Sequence, residues 1–220
     1  MTGNLPKHLT EAMALQDVAC STTFAVLCTM TACRPGELSE MQSAHLLQWL
    51  QHQRCASEMS SWIEAAIGDC KTEDAGDVYT LYLATVTRSG LAPAKWMRRL
   101  RTINARLGVA DDGPAFVRGS DCKTAWTGAD MMKHLIVPVL ECIRDADPPM
   151  RSTSYLKSVD WSRIRTRSFR RTGIHRLRVA GVKPEIVDYF GRWKNRGVSP
   201  MQARYDRLAI EESVEASSRL

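Results

Sequence analysis

The sequence predicts a mainly helical α+β fold with one small antiparallel sheet. Apolar residues recur at helical spacing along most of the chain, and residues 77–97 depart from that spacing. In this stretch Tyr79, Leu81 and Tyr82 favour strand, and the Arg88-Ser89-Gly90 turn precedes a second extended run that ends at Trp96. We therefore expect a β-hairpin over residues 77–97, surrounded by helices.

The N-terminal half is predicted to form helices divided by a proline-containing junction. Thr10 is a candidate N-cap for the first helix. Pro35 suits the first turn of a helix because its ring fixes φ and its missing N–H is not needed there. Arg34 is therefore expected at a helix junction. The helices predicted in this half cover residues 20–32, 37–50 and 62–67, and residues 68–76 are predicted as a loop.

The C-terminal half is also predicted to be largely helical. Gly181 is a candidate left-handed helix cap, and Pro184 is placed to start the next helix. A short loop or strand is expected around Phe116, and a connector over 150–160. The helices predicted in this half cover residues 97–107, 128–145, 169–180 and 184–191, with a last helix around or after Tyr205.

The charge of the chain favours an anionic partner. The 220 residues are 44% hydrophobic, which is enough for a folded core, and carry a net charge of +6 with a pI near 9.0. Residues 163–178 contain no Asp or Glu. The seven arginines of this block are Arg163, Arg165, Arg167, Arg170, Arg171, Arg176 and Arg178. Such a block suits phosphate contact, and the alternative is a solvated basic helix face.

Several classes of site are not predicted. The seven cysteines lack CxxC spacing and the five histidines do not lie near cysteine pairs, so we expect reduced intracellular thiols and no metal site. Glycine-rich nucleotide loops and a Gly-x-Ser-x-Gly elbow are absent from the sequence, and no cofactor is expected. The longest apolar run, 18–33, is interrupted by Ser and Thr, so no membrane span is expected.

The order of the motifs carries a family resemblance over about residues 8–210. The motifs are Arg34-Pro35-Gly36-Glu37-Leu38, the predicted hairpin, Arg167-Ser168-Phe169-Arg170-Arg171, Ala180-Gly181-Val182, Phe190-Gly191-Arg192-Trp193 and Tyr205. In this order they resemble the catalytic domain of the tyrosine recombinase/integrase family, with the eukaryotic DIRS-type retroelement recombinases as the nearest in character. Each motif alone is weak, whereas their order and spacing together are fairly specific.

The resemblance implies a recombinase-like catalytic fold that cleaves and rejoins DNA through a 3′-phosphotyrosine. Tyr205 would be the nucleophile, and Arg34 and Arg170 would hold the phosphate, because a guanidinium fork makes paired hydrogen bonds and stays charged. The family usually takes its general acid from a lysine in the hairpin turn. Lys95 suits this role chemically and Arg88 suits it by position, and the choice stays open.

Two positions near the second arginine depart from the family or stay open. Arg167 stands where the family has a histidine, and a guanidinium cannot accept a proton at neutral pH. Trp193 can donate its indole N–H to the phosphate, with Arg192 as the competing assignment. The arginines expected to contact DNA outside the phosphate clamp are Arg88, Arg165, Arg171 and Arg192.

The expected partner is double-stranded DNA, with a homo-oligomer assembled on it. We expect residues 1–220 to form one catalytic domain, a fragment of a larger protein, because the family normally adds an N-terminal helical domain. The expected location is intracellular, and nuclear in a eukaryotic host, as for a mobile element. Because Arg167 replaces the histidine, the alternative is a catalytically impaired, recombinase-like protein that only binds DNA.

Overall fold

The chain is a mainly helical α+β protein, as the sequence predicted. The computed structural model describes residues 7–51, 54–56, 59–67, 79–138, 140–141, 163–165, 167–191 and 207–220. The helices are α1 (Lys7–Thr31), α2 (Pro35–Ser39), α3 (Ser43–Gln51), α4 (Pro93–Arg106), α5 (Gly128–Met131), α6 (Arg167–Val179), α7 (Pro184–Gly191) and α8 (Arg207–Ser218). A π-helical turn, Met132–Ile136, continues α5.

The sheet has three antiparallel strands in the order β1 (Arg54–Ala56), β2 (Met59–Ile67) and β3 (Tyr79–Ala84). In the longer pairing, Ile63 lies opposite Leu83 and Ala65 lies opposite Leu81. These four side chains are fully buried, whereas Glu64 between them is only partly so. The period-two alternation buries one face of the sheet, which is why these residues form strands.

Two of the predicted elements are wrong, and they are neighbours. The predicted helix 62–67 is part of β2, because its apolar residues alternate and pair with β3. The predicted return strand to Trp96 does not exist, because Pro93 starts α4. Since α4 was predicted to begin only at residue 97, its first turn was misread as strand. The hairpin of this fold is therefore β2–β3 rather than 77–97, and the predicted loop 68–76 lies outside the described residues.

Helix α1 is the centre of the core. Cys20, Phe24, Leu27 and Cys28 are completely buried along it, and the ring of Phe24 meets that of Phe116 edge to face at 5.5 Å. The helix begins at Lys7, so Thr10 lies inside it and is not its N-cap. One face of α1 thus carries the packing for much of the domain.

Helix α4 runs antiparallel to α1 and is joined to it by polar contacts. The Thr23 hydroxyl donates to the Trp96 carbonyl at 3.2 Å, and Gln16 Nε2 donates to Asn104 Oδ1 at 2.5 Å. Asn104 in turn donates to the Ala115 carbonyl at 3.0 Å. Because these hydrogen bonds form inside the core between fixed positions of α1 and α4, they fix the register of the two helices, although Gln16 Oε1 is buried without a hydrogen-bond partner in the described structure.

Several predicted boundaries are confirmed. Arg34 precedes Pro35 at the start of α2, and Gly181 after α6 has a φ of 71°, the left-handed value expected of a helix cap. Helix α7 spans Pro184–Gly191 as predicted, and α8 follows Tyr205. The predicted helix 37–50 is divided into α2 and α3.

Helix α8 covers the outer edge of the sheet. Strand β3 has β2 on one side only, so its outward N–H and C=O groups need other partners. The Ser217 hydroxyl accepts from the Ala84 N–H at 2.7 Å, and Ser213 donates to the Tyr82 carbonyl at 3.0 Å. Tyr189 of α7 donates to the Thr80 carbonyl. Three hydroxyls therefore serve this edge in place of a fourth strand.

Among the described residues, one helical stretch, Met13–Thr31, is long and apolar enough to span a membrane. The expectation that no run reaches this length is therefore wrong for α1. However, 56% of its most apolar window is buried inside the protein, and core helices of this kind pass the same length and composition test. The finding is weak evidence for a membrane.

Candidate functional site

The seven arginines of the block at residues 163–178 differ in their exposure to solvent. Six of its seven arginines are exposed, and Arg170 is half-buried. The difference follows from helix geometry, because Arg170 lies on the same face of α6 as the buried Gly173, Ile174 and Leu177, three, four and seven residues further on. Arg170 is therefore directed towards the core side of α6, whereas its neighbours are solvated.

The Arg170 guanidinium connects two of the motifs. Its Nη2 donates to the carbonyl of Gly191, the last residue of α7. The next two residues in the chain are Arg192 and Trp193. The arginine motif and the start of the Gly-Arg-Trp motif are thus in direct contact, although they are 21 residues apart in sequence.

Helix α6 packs closely on the C-terminal part of α1. A methyl group added at Gly173 would overlap the Thr29 carbonyl oxygen, so only glycine allows this approach. Arg34 lies five residues beyond Thr29, a span of at most roughly 18 Å, and Arg170 lies about 4.5 Å along α6 from Gly173. The two predicted clamp arginines are therefore placed at the same end of α1.

Arg34 itself pairs with its own helix. Its backbone N–H donates to Glu37 Oε2 at 2.7 Å, and its Nη1 lies 3.4 Å from Glu37 Oε1. The Arg34 side chain is 40% exposed while Glu37 is 7% exposed. Because a guanidinium has five N–H donors, this single contact orients the side chain without using its full capacity to bind an anion.

Three further predicted arginines lie on the exposed surface around α6. Arg167 is the first residue of the helix and Arg171 is exposed one residue after Arg170. Arg165 precedes the helix, where its N–H donates to the Ser168 hydroxyl at 3.1 Å. They form a basic surface beside Arg170.

The two candidates for the general acid are not in a hairpin turn. Arg88 lies in the turn between β3 and α4, where its Nη2 is 2.9 Å from Glu215 and its N–H donates to the Ser218 carbonyl at 2.7 Å. Lys95 is exposed on α4 rather than on a returning strand. Arg88 is therefore engaged by α8, and the positional reason for choosing it, a place in a hairpin turn, is lost.

Three predicted residues, Arg192, Trp193 and Tyr205, lie outside the described residues. Tyr205 precedes the first residue of α8, Arg207, by two positions, so their Cα atoms are at most about 7.6 Å apart. The rival tyrosine, Tyr189, has its hydroxyl bound to the Thr80 carbonyl and its ring packed edge to face on Phe190. Tyr189 is thus accounted for by structure.

The sequence prediction did not consider Lys71, which lies in sequence between the two strands of the observed hairpin. The connection between β2 and β3, residues 68–78, contains a single cation, Lys71. The signal that could have revealed it is the alternation of buried residues at 63 and 65, which is typical of a strand. Lys71 itself lies outside the described residues.

The buried thiols at this end of α1 are poor nucleophiles. Burial raises the pKa of Cys28 well above its usual range, and neighbouring Cys33 and Glu37 raise it further. Cys20, Cys28, Cys33 and Cys122 are free thiols. In the part of the chain that the structure describes, no group of three His, Cys, Asp or Glu side chains is placed to hold a metal ion.

Comparisons with protein-family models, with curated proteins and with solved structures found no match to this chain.

Proposed function

We propose that this protein cleaves and rejoins DNA strands through a tyrosine nucleophile, with a fold of the tyrosine recombinase catalytic type. The observation that carries the proposal is the contact between Arg170 and the Gly191 carbonyl on a helix packed against the end of α1. The contact joins the motifs that contain Arg170 and Gly191, and the packing of α6 against Thr29 puts them at the end of α1 that leads to the Arg34 motif. Motifs that share a chemical purpose are expected to meet in this way.

The chemistry assigned to this site is transfer of a DNA phosphoryl group to Tyr205 and back. The phenol oxygen attacks phosphorus in line, the 5′-oxygen leaves with a proton, and a 3′-phosphotyrosine forms. Rejoining is the same step in reverse, so no nucleotide cofactor is needed. Negative charge grows on the nonbridging oxygens in the transition state, where Arg34 and Arg170 would neutralise it.

The β2–β3 connection suggests Lys71 as the proton donor to the leaving oxygen. A lysine between two strands matches the position from which the resembled family supplies its acid, which neither Arg88 nor Lys95 occupies. If Lys71 is the donor, Lys71→Ala slows cleavage of ordinary DNA but not of a substrate whose bridging 5′-oxygen is replaced by sulfur, because a thiolate leaves without a proton. Lys95→Ala is the matched control, and rescue of that variant alone would transfer the role to Lys95.

The second candidate function is a DNA-holding protein without cleavage activity. It is favoured by Arg167, which cannot act as a base, and by the Arg34–Glu37 pair, which a helix cap alone would explain. The basic surface around α6 would serve either function.

Tyr205→Phe tests the proposed nucleophile. The full chain is incubated with a nicked duplex, from which the short cleaved strand diffuses away and so traps the covalent intermediate. Wild type should give a protein–DNA adduct that survives denaturing electrophoresis, and Tyr205→Phe should give none.

Tyr189→Phe is the control, because its hydroxyl is occupied by the Thr80 carbonyl. It should retain the adduct. An adduct that persists in Tyr205→Phe would exclude this nucleophile, and DNA binding by wild type without any adduct would favour the DNA-holding alternative.

A further inference from the structure

A second basic surface lies on α4, away from the arginine motif. Its exposed positions are 95, 98, 99, 102, 105 and 106, and each lies three or four residues from another of them, so they form one stripe along the helix. The opposite face, with Met97, Leu100 and Ile103, is buried in the core. The stripe carries Lys95, Arg98, Arg99 and Arg106, and its uncharged members are Thr102 and Ala105.

The surroundings of this stripe contain no acidic residue in sequence. Residues 78–110 contain no Asp or Glu, and the next acidic residue, Asp111, is paired at 2.5 Å with Arg101, which lies off the stripe. No ion pair of the described residues involves Lys95, Arg99 or Arg106. Like charges spaced along one helix face repel one another, and a polyanion relieves that repulsion.

The stripe also includes an aromatic platform. The Arg99 guanidinium lies over the Trp96 ring at 5.5 Å from its centroid. Such stacking holds the long arginine side chain in one place and lowers the entropy lost when it binds an anion.

We infer that the exposed face of α4 is a second DNA-binding surface that contacts the phosphates of a duplex without reading its sequence. From residue 95 to residue 106 the stripe is about 16.5 Å long, a length of duplex that carries roughly ten phosphate charges. Arginine and lysine side chains spaced along a helix are suited to such a row of anions. The inference rests on the proposed function only for the choice of DNA as partner.

The position of α4 supports this role. Trp96 lies beside Thr23 of α1 and Asn104 lies beside Gln16, so the stripe runs from the end of α1 nearer Thr29 towards the opposite end. Thr29 is where α6 and Arg170 pack. The α4 surface can therefore hold DNA away from the cleavage site and is expected to add affinity rather than chemistry.

The test compares two double variants of the full chain that lose the same charge. Arg99→Gln/Arg106→Gln removes two cations from the stripe, and Lys123→Gln/Lys133→Gln removes two exposed cations from elsewhere. Binding to a 30-base-pair duplex of arbitrary sequence is measured by fluorescence anisotropy between 50 and 200 mM salt, conditions over which phosphate contacts are sensitive to salt. Circular dichroism verifies that both variants are folded.

The stripe variant should bind roughly fivefold to tenfold more weakly at 100 mM salt, and the slope of log K against log salt should fall by about 1.8, or 0.9 for each contact. The control should change little. Three outcomes would overturn the inference. The two variants could lose the same affinity, which would mean that only net charge matters. The stripe variant could bind as well as wild type, or the wild type could bind single-stranded RNA of the same length more tightly than the duplex. The proposed cleavage is tested separately. If it fails, wild type forms no Tyr205 adduct, while the difference in DNA affinity between the stripe variant and the control persists.

Discussion

The contact between α1 and α6 and the contact between β3 and α8 both lie beside predicted functional residues, yet they are held by different forces. At the first, Gly173 allows a close helix approach, and the buried Ile174 and Leu177 pack beside it. At the second, hydroxyl groups such as those of Ser213 and Ser217 bind the backbone of an edge strand. Exposed ion pairs complete this second contact.

The difference separates two requirements of the proposed reaction. A phosphate clamp must be held in place before the substrate arrives, because preorganised charge stabilises a transition state without reorganisation. The close α1–α6 contact gives Arg170 such support. The segment that follows Tyr205 is instead fastened by individual hydrogen bonds and surface charges, each of which contributes little alone. Four predictions measure this contrast.

The largest effect is expected on activity, from Arg170→Lys. Lysine keeps the charge but loses the planar fork that contacts the Gly191 carbonyl and that, in the proposed reaction, would bind two phosphate oxygens. The rate of adduct formation on the nicked duplex should fall by about 10²-fold, a typical cost of losing one transition-state donor. DNA affinity should change by no more than about threefold, because the net charge is the same.

Arg171→Lys is the matched control, since Arg171 is the next residue of α6 and is exposed. It should leave the rate of adduct formation nearly unchanged. If both variants lose the same activity, Arg170 is no more than one member of a diffuse basic surface, and the contrast between the two contacts loses its functional meaning.

The next effect is on stability, from Gly173→Ala. In an ordinary helix this change stabilises by about 1 kcal/mol because alanine has the higher helix propensity. Here the new methyl group overlaps the Thr29 carbonyl, and overpacking of this kind costs about 1–3 kcal/mol. Urea unfolding should therefore show a net loss of up to about 2 kcal/mol. Gly36→Ala is the control, since nothing lies within 4 Å of the added methyl group, and a gain at Gly173 would refute the close α1–α6 contact.

The β3–α8 contact should respond to Ser217→Ala. The Ser217 hydroxyl is fully buried and is the acceptor for the Ala84 N–H, so its removal leaves a buried donor without that bond at a cost of about 1–3 kcal/mol. The Ala84 amide proton should exchange faster with solvent, and the opening free energy derived from its exchange rate should fall by at least the same amount. Ser218→Ala is the control, because the Ser218 hydroxyl bonds within α8, to Glu215, and the substitution keeps the Ser218 carbonyl that accepts from the Arg88 N–H. Equal stability of the two variants would contradict the role of α8 in covering the strand edge.

Most of the helices could be predicted because their signals are local. Pro35 and Pro184 fix the starts of two helices and Gly181 fixes the cap after a third. The sheet was less predictable, because the short apolar run 62–67 fits a helix or a strand until its partner is known. Pairing with β3, across a sequence separation of about twenty residues, decides between them.

The site was predictable in its residue types and only partly in its geometry. The periodicity of α6 separates Arg170 from the exposed arginines around it, and this could be inferred from the apolar residues at 173, 174 and 177. The contact of Arg34 with Glu37, three residues further on, is of the local kind that helical spacing allows. The positions of the general-acid candidates, Arg88 and Lys95, were predicted incorrectly because they depended on the hairpin, a long-range feature. The position of the α4 stripe depended in the same way on where α4 begins.

The smallest effect is expected at the surface of the β3–α8 side, in the pair that joins α7 and α8. Lys183 lies 2.6 Å from Glu212, and this hydrogen bond, with the charge of Glu212, raises the pKa of Lys183 above its ordinary value of 10.5. A raised pKa means that the folded state holds the proton more tightly than the unfolded state does. The stabilising contribution of the Lys183–Glu212 pair is therefore present below pH 10.5 and is lost as the pH rises through the raised pKa of Lys183.

The midpoint of thermal unfolding of wild type should exceed that of Lys183→Gln by a small, constant amount between pH 7 and 9, and the difference should shrink above pH 10.5 and in 1 M salt. Lys123→Gln is the control, because Lys123 is exposed and forms no ion pair within the described residues. A difference that persists in high salt would indicate that this contact is stronger than a solvated ion pair, and the β3–α8 side would then resemble the tightly packed α1–α6 side more closely than its polar contacts suggest.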